Sequence, residues 1–310
     1  MRHKSLLCFV AGYLLFFGME AQTAGQAMQG KVQGVPKVVD SENNSLEAAA
    51  GIHNAITIFM CGDVMTGRGI DQVLPHPGDP TLYESYMKSA RGYVKIAEDV
   101  NGPIDHPVSF SYVWGDSLKE MERIVPDVKI INLETSVTRS KDYWKGKGIN
   151  YRMHPENIPI LTAAGIDVCS LANNHVLDWG YAGLRETLET LKYANLKIAG
   201  AGRNLIEARA PAVVKVSGKG RVIVFAFGSG TSGIPSSWRA GDEKPGVYRL
   251  KDLDTESLRD IQAKVRRVKH EGDIVVASIH WGSNWGYEIP REQRVFAHRL
   301  IDEAGVDIIH

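Results

Sequence analysis

The sequence predicts an α/β fold, and three observations carry that prediction. From about residue 55 onward, short apolar runs rich in Ile and Val alternate with longer segments of helical periodicity. Four of those runs end on polar motifs, Cys61-Gly62-Asp63, Asn132-Leu133-Glu134, Asn173-Asn174-His175 and His280-Trp281-Gly282. The composition, 44% hydrophobic and 23% charged, is that of a soluble globular chain rather than a disordered or fibrous one. Short runs of this kind read as strands buried on both faces, and in open α/β sheets ligands bind beyond the carboxyl ends of the strands.

The elements follow in order. Residues 1–27 have a basic start (Arg2, His3, Lys4), an apolar stretch over 6–17 and a small-residue end at Gly25-Gln26-Ala27. That is the layout of a secretory signal peptide, with an uncleaved N-terminal anchor as the alternative. Either one exports the body to the periplasmic or extracellular face of the cell envelope. Residues 28–54 are polar and aperiodic, as in a linker. The domain occupies 55–310. Its strands are expected at 56–60, 128–131, 168–172, 221–227, 274–279 and 306–309, and its helices at 116–124, 155–164, 180–194, 255–268 and 290–304. Leu184, Leu188 and Leu191 give the third helix a buried face. Pro155 and Pro290 suit the first turn of a helix, where a missing amide costs nothing. Asp254-Thr255 with Ser257 opens the fourth. Residues 71–112 carry five prolines and break the alternation, which marks an insertion over the site, with a short helix near 83–97.

Charge and cysteine usage narrow the function. Lys+Arg and Asp+Glu both total 36, so the balance gives no reason to expect a nucleic-acid partner. After the leader only Cys61 and Cys169 remain, and both lie in strand-like runs, as buried apolar thiols do.

The strand-end residues are metal-ligand types. Asp63 lies at a strand end before Gly67-Arg68-Gly69, although a turn Asp bonding backbone amides has the same sequence. Glu134 closes an apolar strand, where an acid is costly unless paired or metal-bound, and alternation puts Asn132 on its side. Asn174 and His175 offer an oxygen and a nitrogen, and Asp178 can hold an imidazole nitrogen of His175 and fix its tautomer. His280 ends the fourth run, and Trp281, Trp285 and Tyr287 after it either wall a groove or anchor packing. Arg68 can clamp an anionic substrate group.

These motifs, together with Gly62-Asp63-Val64-Met65-Thr66-Gly67-Arg68 and Gly200-Ala201-Gly202-Arg203-Asn204, resemble the CapA/PgsA-type capsule proteins linked to poly-γ-glutamate biosynthesis. That family is similar in fold to the calcineurin-like metallophosphoesterases. The resemblance implies a four-layer α/β/β/α sandwich of the metallo-dependent phosphatase type and two divalent metal ions (Mn, Zn, Fe or Mg). It puts Asp63, Glu134, Asn174 and His280 on metal and makes His175 an acid or oxyanion stabiliser; the residues themselves add Asp178 behind His175 in catalysis and Arg68, Asn173 and Trp281 on substrate. The implied activity is a hydrolase or transferase-like step on an anionic polymer or small anionic substrate, with membrane-bound polymer synthase subunits as partners. A non-catalytic envelope scaffold and a stand-alone phosphoesterase or amidohydrolase are the alternatives. The chain departs from the phosphoesterase pattern at Met65, where those enzymes carry a His. The family also continues past its last strand with a Gly-His motif, so the resemblance implies a domain truncated at its C-terminus at His310.

Overall fold

A computed structural model describes residues 55–310. The leader and linker readings lie outside the described residues. Two four-stranded sheets form the centre. The first is parallel throughout, in the order β1 (Ile58–Val64), β2 (Val128–Leu133), β5 (Val168–Ser170), β6 (Lys197–Ala199). The second runs β12 (Ile308–Ile309), β11 (Ile274–His280), β9 (Gly220–Gly228), β8 (Ala212–Val216), parallel except for the β8–β9 pair. Two-stranded ribbons, β3 (Ser136–Val137) with β4 (Arg152–Met153) and β7 (Ala201–Gly202) with β10 (Gly246–Val247), complete the strands.

Three hydrophobic clusters order the molecule. Val128, Ile130 and Val168 of the first sheet, with Ala172 just beyond β5, meet Val222, Val224, Ala226 and Val276 of the second. This seam works because strands apolar on both faces have a second face to bury. The outer face of the first sheet packs on α5 (Gly180–Tyr193) through Leu184, Leu188 and Leu191. The outer face of the second packs on α7 (Thr255–Val268) and α8 (Arg291–Asp302) through Leu258, Ile261, Val265, Phe296 and Leu300. Asp254 caps α7 by accepting from the Ser257 amide at 2.8 Å.

Several elements differ from expectation. The helix expected over 155–164 divides into a 3-10 turn (Pro155–Asn157) and a short α4 (Pro159–Thr162). Pro159 lacks the amide that a continuous helix needs there. The helix expected near 83–97 forms later, as α2 (Arg91–Asn101). The chain before it is pinned into a loop by Ala90 N–H donating to Pro80 O at 2.7 Å and Leu82 N–H to Lys88 O at 3.0 Å. A further helix, α1 (Arg68–Val73), occupies the start of the proline-rich segment, and β6 and β8 were not expected at all. Among the described residues no helix is long and apolar enough to cross a membrane.

Candidate metal centre

The parallel strands deliver their carboxyl ends to one rim. In β1 the register to β2 shifts between Cys61 and Asp63, a bulge that leaves Gly62 unpaired and sets Asp63 opposite Asn132. Asn132 Nδ2 then donates to Asp63 Oδ1 at 2.6 Å and lies 3.2 Å from His280 Nδ1 at the end of β11. His280 Nδ1 is 3.5 Å from Asp63 Oδ1, and its Nε2 is 3.7 Å from Glu134 Oε1 and 2.9 Å from Asn174 Oδ1. Ligand atoms of Asp63, Glu134 and His280 all lie within 4.8 Å of one another. Residues 69, 148 and 106 positions apart thus converge as expected.

The electrostatics suit a cation. Burial pushes the Glu134 carboxyl up, the Asp63 charge adds to that, and together they bring it to about 9. Burial also works to raise Asp63, but hydrogen bonds from His280 and Asn132 hold it below its ordinary value. Two carboxylates, an imidazole and the Asn174 carbonyl form the mixed O/N set that divalent ions take. The donor set therefore fits one divalent cation at the triad.

Beside it stands His175, in the loop after β5. Its Nδ1 is 2.6 Å from Asp178 Oδ2, and its Nε2 is 3.7 Å from Glu134 Oε1, so the ring spans from Asp178 to the triad. Asp178 is fully buried and also accepts from Tyr151 N–H at 2.6 Å. Burial drives the His175 imidazole down to about 4 against the pull of Asp178, so the ring is neutral at physiological pH. Pairing with the carboxylate places the single proton on Nδ1 and leaves the Nε2 lone pair facing Glu134.

Lys147 was missed. It lies in the loop joining β3 to β4, with Nζ 2.5 Å from Asp178 Oδ1 and 3.0 Å from His175 Nδ1. Burial lowers its ammonium, and Asp178 resists that. The sole hint in the sequence is its place between Gly146 and Gly148, on no periodic element.

Three expected substrate contacts are corrected. Asn173 is fully buried, and its amide donates to Asn132 Oδ1 and Leu133 O while its carbonyl accepts from the His175 and Val176 amides. It shapes the loop and has no face toward a substrate. Arg68 is 5% exposed at its side chain and paired with Glu84 at 2.5 Å, so it clamps an internal carboxylate. Trp281 is half-buried edge-on to Phe296 at 6.4 Å and packs with the core under α8. The exposed aromatics of that loop are Trp285 and Tyr287. Of the two thiols expected to be buried, Cys169 is, with burial pushing it up to about 12, whereas Cys61 is half-buried, and no disulfide joins them.

A family model described as "Bacterial capsule synthesis protein PGA_cap" matches residues 57–310. The chain belongs to this family. It is 47% identical over 262 residues to a Mycobacterium tuberculosis protein named "Probable polyglutamine synthesis accessory protein", a match covering 84% of this chain and 69% of the relative. It is 29% identical over 258 residues to "PGA biosynthesis protein CapA" of Bacillus subtilis and 27% over 255 residues to "Capsule biosynthesis protein CapA" of Bacillus anthracis. Those two matches span 56% and 53% of the Bacillus proteins. The CapA-type resemblance of the strand-end motifs is thus family membership.

Proposed function

We propose that the chain is an exported component of capsular or poly-γ-glutamate-like polymer biosynthesis, acting as a metal-dependent hydrolase or transferase-like enzyme on an anionic polymer or a small anionic substrate. The observation that carries this reading is the meeting of Asp63, Glu134 and His280, from three strands, with Asn174 and the His175–Asp178 pair alongside. The two central sheets and their outer helices are read as the four-layer α/β/β/α sandwich of the metallo-dependent phosphatase type. A membrane-bound polymer synthase is the partner in this reading.

Asp63, Glu134 and His280 would hold the ion, with Asn174 as a further oxygen donor. A second ion, as in the dinuclear enzymes of that type, would draw on Glu134 and Asn174. A divalent ion bound there would supply Lewis acidity toward a phosphoryl or amide oxygen and would acidify water. His175 accepts a proton at Nε2, and Asp178 stabilises the imidazolium that results. Burial keeps the resting ring neutral, and Lys147 adds to that by offsetting the Asp178 charge. That makes His175 an acceptor first and a donor only after it has been protonated.

A non-catalytic envelope scaffold is the second reading, favoured by the word "accessory" in the mycobacterial relative's name. The two separate on turnover. Protein loaded with Zn²⁺ or Mn²⁺ is assayed on bis(4-nitrophenyl) phosphate and on γ-linked glutamyl peptides. Product release that needs metal and vanishes in His175→Ala supports the enzyme. Stoichiometric metal with no turnover of either substrate supports the scaffold.

A further inference from the structure

The His175 imidazole is held on its face as well as its edge. Tyr151 stacks on it with ring centroids 3.8 Å apart and planes 19° from parallel. Since His175 takes one face of Tyr151, the Arg68 guanidinium, 4.7 Å from the Tyr151 centroid, takes the other. The same guanidinium lies 4.8 Å from the centroid of Tyr93 on α2. Glu84 closes the far end, pairing with Arg68 Nη2 and accepting a hydrogen bond from the Tyr93 hydroxyl. The side chains of Arg68 and Glu84 are 5% and 1% exposed, so neither is available to a ligand in solution. Arg68 adopts φ +50°, an uncommon conformation for a residue with a side chain, which persists only where the surroundings over-determine it.

We propose that Arg68 is a positioning residue for His175, acting through the stacked column Tyr93–Arg68–Tyr151–His175. The bond from Nδ1 to Asp178 fixes one edge of the imidazole but leaves the ring free to rock about that bond. A ring stacked on its face removes that freedom and keeps Nε2 on Glu134. The planar guanidinium suits the task, because it packs flat between two aromatic faces where an ammonium would not. Glu84 and Tyr93 both belong to the proline-rich segment, so the packing of that segment sets the pose of an imidazole across the site. The inference rests on the reading of His175 as the proton-handling group.

The test is NMR of the His175 ring protons in Zn²⁺-loaded full-length protein, zinc being diamagnetic, for wild type, Tyr151→Phe, Tyr151→Leu and Arg68→Lys. The ring current of Tyr151 places the wild-type signals upfield of free histidine, and Tyr151→Phe keeps them there. In Tyr151→Leu and Arg68→Lys they move toward the free-histidine position and broaden. Zn²⁺ affinity by calorimetry is unchanged in Arg68→Lys, since no metal donor is touched. Its kcat on bis(4-nitrophenyl) phosphate falls about ten- to a hundredfold at constant KM, as misplacement of a reacting group predicts. Should Tyr151→Leu fail to fold, Arg68→Lys decides alone. His175 signals in Arg68→Lys that coincide with wild type overturn the proposal. A wild-type protein that shows the upfield shift yet turns over no substrate supports the column while removing the catalytic reading of His175.

Discussion

Glu134 is only 12% exposed, and the Asp63 carboxyl beside it adds to the effect of burial in raising its proton affinity. A metal ion must displace that proton, so binding and proton release are linked. Between pH 6.5 and about 9 the Zn²⁺ affinity should rise about tenfold per pH unit, with about one proton released per ion; calorimetry in buffers of different ionisation enthalpy reads both. Glu134→Gln should release none, and a flat pH dependence in wild type would contradict the assignment. At Asp178, substitution by Asn removes the charge facing Lys147 and leaves one acceptor oxygen where Lys147 Nζ and His175 Nδ1 use two. Breaking such a buried pair costs about 3–5 kcal/mol, measurable by urea unfolding, and a cost near zero would show that the pair does not matter to folding. The acids and His280 were legible because each closes an apolar run, where a polar residue needs a reason. Lys147 and Tyr151 were not, because they come from loops whose path depends on tertiary contacts such as Trp144 N–H donating to Asp178 O at 2.7 Å. Arg68 was misjudged for a related reason: a basic residue in a glycine-rich turn looks solvent-facing until its internal carboxylate, 16 residues on, is known.

At the scale of elements, long periodic segments were readable and short ones were not. The leucine face of α5 and the capped start of α7 are local patterns, and both form. β6 has three residues and its strand character comes from pairing with β5, which no local pattern encodes. Gly200 marks a close approach between the two sheets. It sits at φ +91°, and a Cβ there would lie 2.7 Å from the Ala172 Cβ and 2.8 Å from the Ala226 Cβ. Overpacking costs about 1–3 kcal/mol, and the left-handed backbone adds about 1–2, so Gly200→Ala should lower the urea midpoint clearly. Because Ala172 precedes the Asn173-Asn174-His175 loop, the same change should weaken metal binding. Intact affinity in a destabilised variant would show that the loop is held independently of the seam.

For the molecule as a whole, the site sets a pH dependence of folding. Glu134 has a raised affinity for its proton in the folded state, so its contribution is fully present below its ordinary value of 4.5 and is lost as pH rises toward about 9. His175 is lowered, so its contribution is present above 6.5 and is lost as pH falls toward about 4. The two oppose each other between pH 4.5 and 6.5, and above that Glu134 acts against Lys147, whose ammonium burial lowers. With a chelator present, wild-type Tm should therefore fall from pH 6.5 to 9 relative to that of Glu134→Gln, and added Zn²⁺ should reverse the relative fall; a Tm that rises relative to that variant would refute the sign. The fold class was legible from alternation alone, whereas the way the two sheets face each other depends on which apolar faces meet, as at Ile130 and Val224. The most direct test of the account is metal content per chain after equilibrium dialysis against Zn²⁺ or Mn²⁺, for wild type, Asp63→Ala and His280→Ala. The account predicts bound metal in wild type and its loss in both variants; metal retained in both, or none in wild type, would contradict it.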